Sequence, residues 1–458
     1  MRQGDFGETS EGTIPSAAPP PDSKKAIAPA VMDLLSMTLM MTFDGIILGK
    51  YSSTALAGGG MSLYVLFFLF TIFITFVLGA AVPISRHLGA GERDAASSLF
   101  GKAMGTTLII AVAFSVVSYI FRGFIFGKVF GASGDVEKAA VDYFTGLIIF
   151  MPAIALNFTG TGILRSIGDA TAAMKANLTA NLVNAFAAIL LVYGHSGLGI
   201  PSLGALGAAL ALGGAQFVGF LIQLRQILGG RTSVRLRLRD MVHPQLSRLK
   251  RIVKTGLPAT AEQFIWMGGQ LILIAFIARI GEKELAAHQI LVRLTQTIGV
   301  IFQGFAFGNM ALCGRKIGAG QEEGVKSLAR KIRLLSLSTG ILFAVLVFIF
   351  RAQIAGLFSY DGKVISLVIM LLPILAAVLI PKSLTMITAS ELRARGDLVY
   401  IAIVCLITVI VDIIGLSAIS LFVFGWGLAG VWVAHALDEL VRYALHMLRL
   451  RRGIVIDV

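Results

Sequence analysis

Apolar runs recur along the chain at about 27–49, 61–83, 96–121, 139–158, 171–193 and 204–228, and again at about 252–280, 288–313, 332–351, 364–389, 398–422 and 427–448. A helix needs roughly 20 residues to cross ~30 Å of hydrocarbon. The pattern therefore predicts an all-α integral membrane protein of twelve transmembrane helices. An even number of spans places both termini on one side. Residues 1–23, rich in Gly, Ser, Pro and acids, are predicted to be a disordered cytoplasmic tail. They are too polar for the h-region of a secretory signal, so the first span is expected to be retained.

The chain repeats itself. Pro29-Ala30-Val31-Met32-Asp33 aligns with Pro258-Ala259-Thr260-Ala261-Glu262 at an offset of 229 residues. At that offset Gly79 meets Gly308, Pro152 meets Pro381, and Arg86-x-Leu88-Gly89-Ala90-Gly91 meets Arg315-x-Ile317-Gly318-Ala319-Gly320. Leu164-Arg165-x-x-Gly168-Asp169 meets Leu392-Arg393-x-x-Gly396-Asp397 after a slip of one residue. Six spans per half give both halves one orientation, related by a pseudo-twofold axis along the membrane normal. The expected division is an N-lobe at 24–228, a basic cytoplasmic linker at 229–250 and a C-lobe at 251–458. Two-lobed repeats of this kind place a substrate cavity between the lobes and alternate its access, a transporter design.

Composition sharpens this picture. Apolar residues make up 56% and charged residues 14% of the 458, far from the roughly 25% charged of soluble domains. The net charge of +14 sits in short loops and forms no basic domain, which argues against nucleic acid. With the N-terminus inside, the inner segments hold 30 Lys and Arg and the outer loops 8, with Arg293 inside a span. That bias puts both ends in the cytoplasm of a cell-membrane (inner-membrane) protein. Cys313 and Cys405 suggest neither disulfide nor metal site, and no His spacing fits a metal.

Against this background the first span, Ile27–Gly49, is unusual because it carries Asp33 and Asp44. A carboxylate in hydrocarbon costs on the order of 2.5–3.5 kcal/mol, which an anchoring helix would avoid. Asp44 reads as a working group facing a cavity; the alternative is an interfacial acid within reach of Lys50. In the second half, Glu262 follows Pro258 by four residues, either binding cations or satisfying hydrogen bonds around the Pro258 break. Gln263, Trp266 and Gln270 share its helical face, either a set suited to an amphipathic cation or, for Trp266, a lipid-facing ring. Asp412 lies mid-span, 16 residues beyond Gly396 as Asn184 lies beyond Gly168, and is either a second membrane carboxylate in contact with cation or substrate or a structural acid. Asp438 and Glu439 are four and three residues before Arg442, the spacing of an intrahelical ion pair. Met32, Met37, Met40 and Met41 offer either adaptable substrate surface or ordinary packing.

Several repeated segments resemble the multidrug and toxic compound extrusion (MATE) family, most nearly its DinF-like branch. They are Phe43-Asp44-Gly45-Ile46-Ile47-Leu48-Gly49-Lys50, the paired Arg-x-(Leu/Ile)-Gly-Ala-Gly loops and Leu164-Arg165-Ser166-Ile167-Gly168-Asp169. Gly256-Leu257-Pro258 and Leu285-Ala286-Ala287-His288-Gln289 complete the set. The resemblance implies an exporter of organic cations and other amphipathic compounds driven by inward H⁺ or Na⁺, with no further cofactor. It implies that Asp44 takes up the coupling cation. In that branch an Asn with an Asp four residues later completes the pocket; here Asn184 is followed by Ala188, and Leu212 stands in place of a Thr. Those losses remove oxygen ligands and favour H⁺ over Na⁺, with Asn181 and backbone carbonyls still available. The similar NorM-like branch carries a Glu nine residues after the seventh-span Pro, where this chain has Met267.

The sequence thus predicts a secondary antiporter, not an enzyme, acting as a monomer in the lipid bilayer on small-molecule organic cations. Two other readings are weighed. A lipid-linked sugar flippase of the same superfamily would want a larger basic cavity. A membrane-embedded transferase would need a DxxxD pair or a catalytic His, for which only His435 near Asp438 offers material.

Overall fold

A computed structural model of the chain describes residues 23–242 and 246–452. The expected disordered tail lies outside the described residues but for Ser23, which opens the first helix. The first half consists of α1 (Ser23–Tyr51), α2 (Ser53–Gly89), α3 (Arg93–Phe124), α4 (Gly134–Ile148), α5 (Met151–Ser166), α6 (Ala170–Tyr193) and α7 (Gly204–Leu228). A short α8 (Leu238–Val242) follows in the linker. The second half has α9 (Leu246–Ala278), α10 (Glu282–Gly318), α11 (Glu322–Ile349), α12 (Arg351–Phe358), α13 (Gly362–Ala394), α14 (Leu398–Thr408) and α15 (Gly427–Arg451). The α14 span continues to Val423 through two π-helical stretches, Val409–Leu416 and Ile419–Val423.

Ten of these helices are long and apolar enough to cross a membrane, and α4 with α5 forms an eleventh, broken span. The twelfth, α15, has the length but carries Asp438, Glu439 and Arg442 in its interior. The fourth span differs from the single helix expected at 139–158: α4 and α5 meet at 65°. Pro152 has no amide to donate back to α4, so the hydrogen-bond ladder is interrupted there. Phe150 sits at φ −96° and ψ 0°, and Pro152 falls in the first turn of α5. The repeat mate α13 keeps one helix through Pro381. The helices α2, α10 and α13 run 37, 37 and 33 residues, longer than the apolar runs predicted, because polar ends carry them past the hydrocarbon.

Each half buries its own core. Phe73, Phe100, Tyr143, Phe144 and Met151 centre the first; Phe302, Leu372 and Trp432 centre the second. The halves touch along two crossings related by the repeat. On one, α1 lies on α10 at Gly304 and Gly308, where a Cβ would come within 2.4 Å of Val31 and of Ile27. On the other, α9 lies on α2, where a Cβ at Gly79 would be 2.1 Å from the Ile252 carbonyl oxygen and one at Gly256 1.8 Å from that of Thr75. Small residues permit such backbone approach between membrane helices. The second crossing adds a Thr75–Thr260 hydroxyl hydrogen bond of 2.5 Å.

Both crossings lie toward the end of the molecule that holds the loops after α2, α5, α10 and α13 and the Arg-rich linker, the basic end. The linker is fastened to α3 rather than hanging free. Val234 and Leu236 are buried, Arg237 pairs with Asp94, and a Cβ at Gly105 would be 2.3 Å from the Met241 carbonyl oxygen.

Candidate functional site

In α6, Asn177, Asn181 and Asn184 recur at steps of four and three, so they share one face. The helices α1 and α6 run in the same direction from the basic end, and that face meets α1 rung by rung. The Asn177 Nδ2 donates to Asp33 Oδ1 at 2.9 Å, and the Asn181 Nδ2 to Ser36 Oγ at 3.0 Å. The Asn184 Nδ2 donates to both oxygens of Asp44, at 2.8 and 3.0 Å. Asn157 of α5 extends the ladder sideways, donating to Asn177 Oδ1 at 3.1 Å and Gln216 Oε1 at 2.7 Å.

Above this ladder lies a cavity of about 1010 Å³. Its walls are largely aromatic and thioether: Met37, Met40, Met41, Phe68, Phe158 and Trp266 among them. Phe70 and Phe158 stack at 4.4 Å, and Phe264 tilts against Phe68 at 5.7 Å. The lining residues belong to the middle and far halves of the helices, away from the basic end. Asp44 is the single charged residue among them, and its carboxylate is met by an amide, not by a cation. Nothing lies within 4 Å of a Cβ built on Gly45, so the floor beside Asp44 is open. Asn181, Gln263 and Trp266 also line the cavity, whereas Met32 and Gln270 do not.

Other candidates fall elsewhere. Glu262 is not on the cavity wall: Arg393 Nη2 bonds both its oxygens at 2.8 and 2.9 Å, because the repeat brings a guanidinium to it. Its repeat mate Asp33 is held likewise by Arg165 at 2.6 Å. Asp412 also lies off the cavity, buried in the first π-helical stretch, with its Oδ2 unpartnered. Arg442 Nε meets Asp438 at 2.8 Å, the spacing read from sequence, but Glu439 pairs instead with Lys382 at 2.9 Å. Lys382 and Arg442 are thus interior to their helices, not loop charges, so Arg293 is not alone inside a span. His435 turns Nδ1 to its own helix at the Val431 carbonyl and lies against Trp432, an arrangement of packing.

Ala188 is buried one turn beyond Asn184, and Leu212 puts hydrocarbon on the cavity wall. A Na⁺ ion needs several oxygens in place of its water shell. Asn184 donates to Asp44 through its Nδ2 while its own Oδ1 stays buried and unpartnered, so the pair offers the carboxylate and one amide oxygen.

The MatE family model matches the chain at residues 29–190 and 258–416, once in each half. An uncharacterized transporter, YisQ, of Bacillus subtilis is 26% identical, over 94% of this chain and 93% of that one. A probable multidrug resistance protein NorM of Thermotoga maritima is 25% identical, over 95% and 93%. Among solved structures, one described as the outward-facing conformation of a multidrug resistance MATE family transporter matches with a TM-score of 0.84. It is 24% identical and covers 94% of this chain and 96% of its own. That likeness fixes the fold.

Proposed function

The chain belongs to the MatE family of multi-pass membrane transporters, and on that premise we propose that it exports cationic amphipathic compounds across the cell membrane in exchange for protons. The observation that carries this reading is the isolation of Asp44. It is one carboxylate on a cavity otherwise lined by aromatic, thioether, aliphatic and uncharged polar side chains, large enough for a drug-sized molecule. Relatives named as multidrug resistance proteins support a drug-like cargo.

In the cycle we propose, the cavity opens at the basic end, taken as cytoplasmic, and an organic cation settles against ionised Asp44 and the aromatic walls. The lobes then close at that end, leaving access from the far side. A proton arriving from outside neutralises Asp44, and the cation leaves. A proton and a cation competing for one carboxylate have different affinities in the two states, which is what coupling requires. A flippase of lipid-linked sugars would need a basic cavity, and the single charge here is acidic.

The test is ethidium efflux from proteoliposomes under an imposed pH gradient, with and without Na⁺, for wild type and Asp44→Asn. Efflux that follows the pH gradient, ignores Na⁺ and disappears in Asp44→Asn is the expected result. Full activity in Asp44→Asn would overturn the mechanism, and efflux driven by Na⁺ alone would overturn the choice of coupling ion.

A further inference from the structure

At the basic end the repeated motifs interlock across the lobes. Arg315, in the last turn of α10 where the repeated Arg-x-Ile-Gly-Ala-Gly motif begins, reaches into the first half. Its Nε donates to the carbonyl oxygen of Ile167 at 2.9 Å and its Nη2 to Ser233 Oγ at 2.8 Å, with Asp169 Oδ1 at 3.8 Å. Its repeat mate Arg86 reaches the opposite way, Nη2 donating to the carbonyl oxygen of Ala394 at 3.3 Å. Ile167 and Ala394 stand in the matching Leu-Arg-x-x-Gly-Asp motifs that end α5 and α13. Each lobe therefore caps the last open carbonyls of the other lobe's fourth span, groups that a helix end leaves unsatisfied. Beneath the arginines the backbones touch: a Cβ at Gly89 would be 2.0 Å from the Arg315 carbonyl oxygen, and one at Gly318 2.0 Å from that of Arg86.

The two arms are unequal. Asp169 accepts from the Ser233 amide at 2.6 Å and from its hydroxyl at 2.8 Å, so Arg315 closes onto a preassembled loop and linker corner. Arg86 finds a single long contact, and its Nε stays unpartnered. The mate of Asp169, Asp397, is turned to Arg449 within its own lobe at 2.7 Å, and Arg395 is engaged by Glu322 and Glu391.

We propose that Arg315 and Arg86 are the positioning residues of the gate that shuts the basic end, and that the Arg315 arm, braced by Asp169 and Ser233, holds it. The inference rests on reading the chain as an alternating-access transporter but involves neither Asp44 nor the cavity. It makes the linker part of the gate, since Ser233 belongs to it.

The test is the distance between spin labels at Glu92→Cys and Gln321→Cys, repeat mates on the two exposed loops, in the full chain in lipid nanodiscs; Cys313 and Cys405 are buried. Arg315→Ala is expected to raise the ratio of the long-distance to the short-distance population about tenfold, as loss of charged hydrogen bonds worth about 1.4 kcal/mol would. Arg86→Ala should raise it no more than about threefold on the same scale. Arg315→Lys and Ser233→Ala, milder changes, should each raise it in between; if Arg315→Ala does not fold, these two carry the test. An unmoved distance distribution in folded Arg315 variants would overturn the gate, and an Arg86 effect equal to that of Arg315 would overturn the asymmetry. A merely structural arginine would lower thermal stability without moving the populations. Because no substrate is involved, absent efflux would count against the transport reading and leave the gate to be judged on distances.

Discussion

Arg165 Nη1 donates to Asp33 Oδ2 at 2.6 Å, and the residues in their places in the second repeat, Arg393 and Glu262, pair at 2.8 Å. In both halves an acid near the start of the first span is tied to an arginine at the end of the fourth. The pair fixes how the first helix enters its lobe. In the N-lobe that helix carries Asp44 further along, and the Arg165 motif offers the Ile167 carbonyl to the other lobe.

The two pairs should differ in weight. Asp33 and Arg165 are 0% and 5% exposed, while Glu262 and Arg393 are about a fifth exposed. Removing one partner of a buried pair leaves an uncompensated charge and costs ~3–5 kcal/mol. A partly solvated pair loses about 1 kcal/mol. Arg165→Met should therefore depress thermal stability in detergent several times more than Arg393→Met. Equal losses would contradict the assignment by burial.

Restoring oxygen donors beside Asp44 should change the coupling ion. Ala188→Asp adds a carboxylate one turn from Asn184, where the resemblance to the DinF-like branch implies one and this chain has a methyl group. We expect Na⁺ to stimulate ethidium efflux in Ala188→Asp and not in wild type, measured as the initial rate at fixed pH gradient. A Na⁺ response already present in wild type would show that other groups supply the oxygens.

Much of this was legible beforehand. Hydropathy located the spans, because a membrane imposes one length and one polarity on every helix. The repeat located Arg86 with Arg315, and Asp33 with Glu262, as mates. Sequence did not show whom they face, since partnership depends on how helices cross. Sequence leaves Glu262 open between cation binding and hydrogen bonds around the Pro258 break; the structure puts Arg393 on it. Of the Asn ladder, sequence singles out Asn181 and Asn184 but not Asn177, at the same helical spacing, nor Asn157 and Gln216. Nor does sequence give the bend at Phe150, because proline permits a break without compelling one; Pro381 in α13 lies in an unbroken helix.

Glycine substitutions in α9 should separate contact from propensity. A Cβ at Gly256 would meet the Thr75 carbonyl oxygen at 1.8 Å, so Gly256→Ala must push α9 away from α2. Gly268, on the same helix, has nothing within 4 Å, and Gly268→Ala should be neutral or stabilising by up to ~1 kcal/mol through helix propensity. Thermal unfolding of the two variants should move in opposite directions or, at the least, only Gly256→Ala should fall.

Asp361 caps α13, accepting from the Lys363 and Val364 amides at 2.8 and 3.3 Å and from Lys283 at 2.9 Å. The Lys283 ammonium, then the two amides, hold its carboxyl below the ordinary value. A depressed carboxyl contributes stability that is present above its unfolded value and lost as pH falls through the folded one. Detergent-solubilised wild type should thus lose thermal stability on acidification below about pH 4 more steeply than Asp361→Asn, which keeps a cap but cannot titrate. Parallel pH profiles would remove Asp361 from the acid response.

The C-lobe acids should divide by whether a cation is hydrogen-bonded to them. Asp438 answers Arg442, which also donates to Thr408 at 2.8 Å, so Asp438→Asn leaves a buried guanidinium short of its counter-charge and should cost ~3 kcal/mol. Asp412 has a buried oxygen with no partner, and an amide there is cheaper to desolvate than a carboxylate. Asp412→Asn should leave thermal stability unchanged or higher and, with the cavity elsewhere, keep pH-driven efflux within about twofold, well inside what loss of one hydrogen bond produces. Collapse of efflux in folded Asp412→Asn would instead make Asp412 a second coupling carboxylate, and the single-site cycle at Asp44 would have to be abandoned.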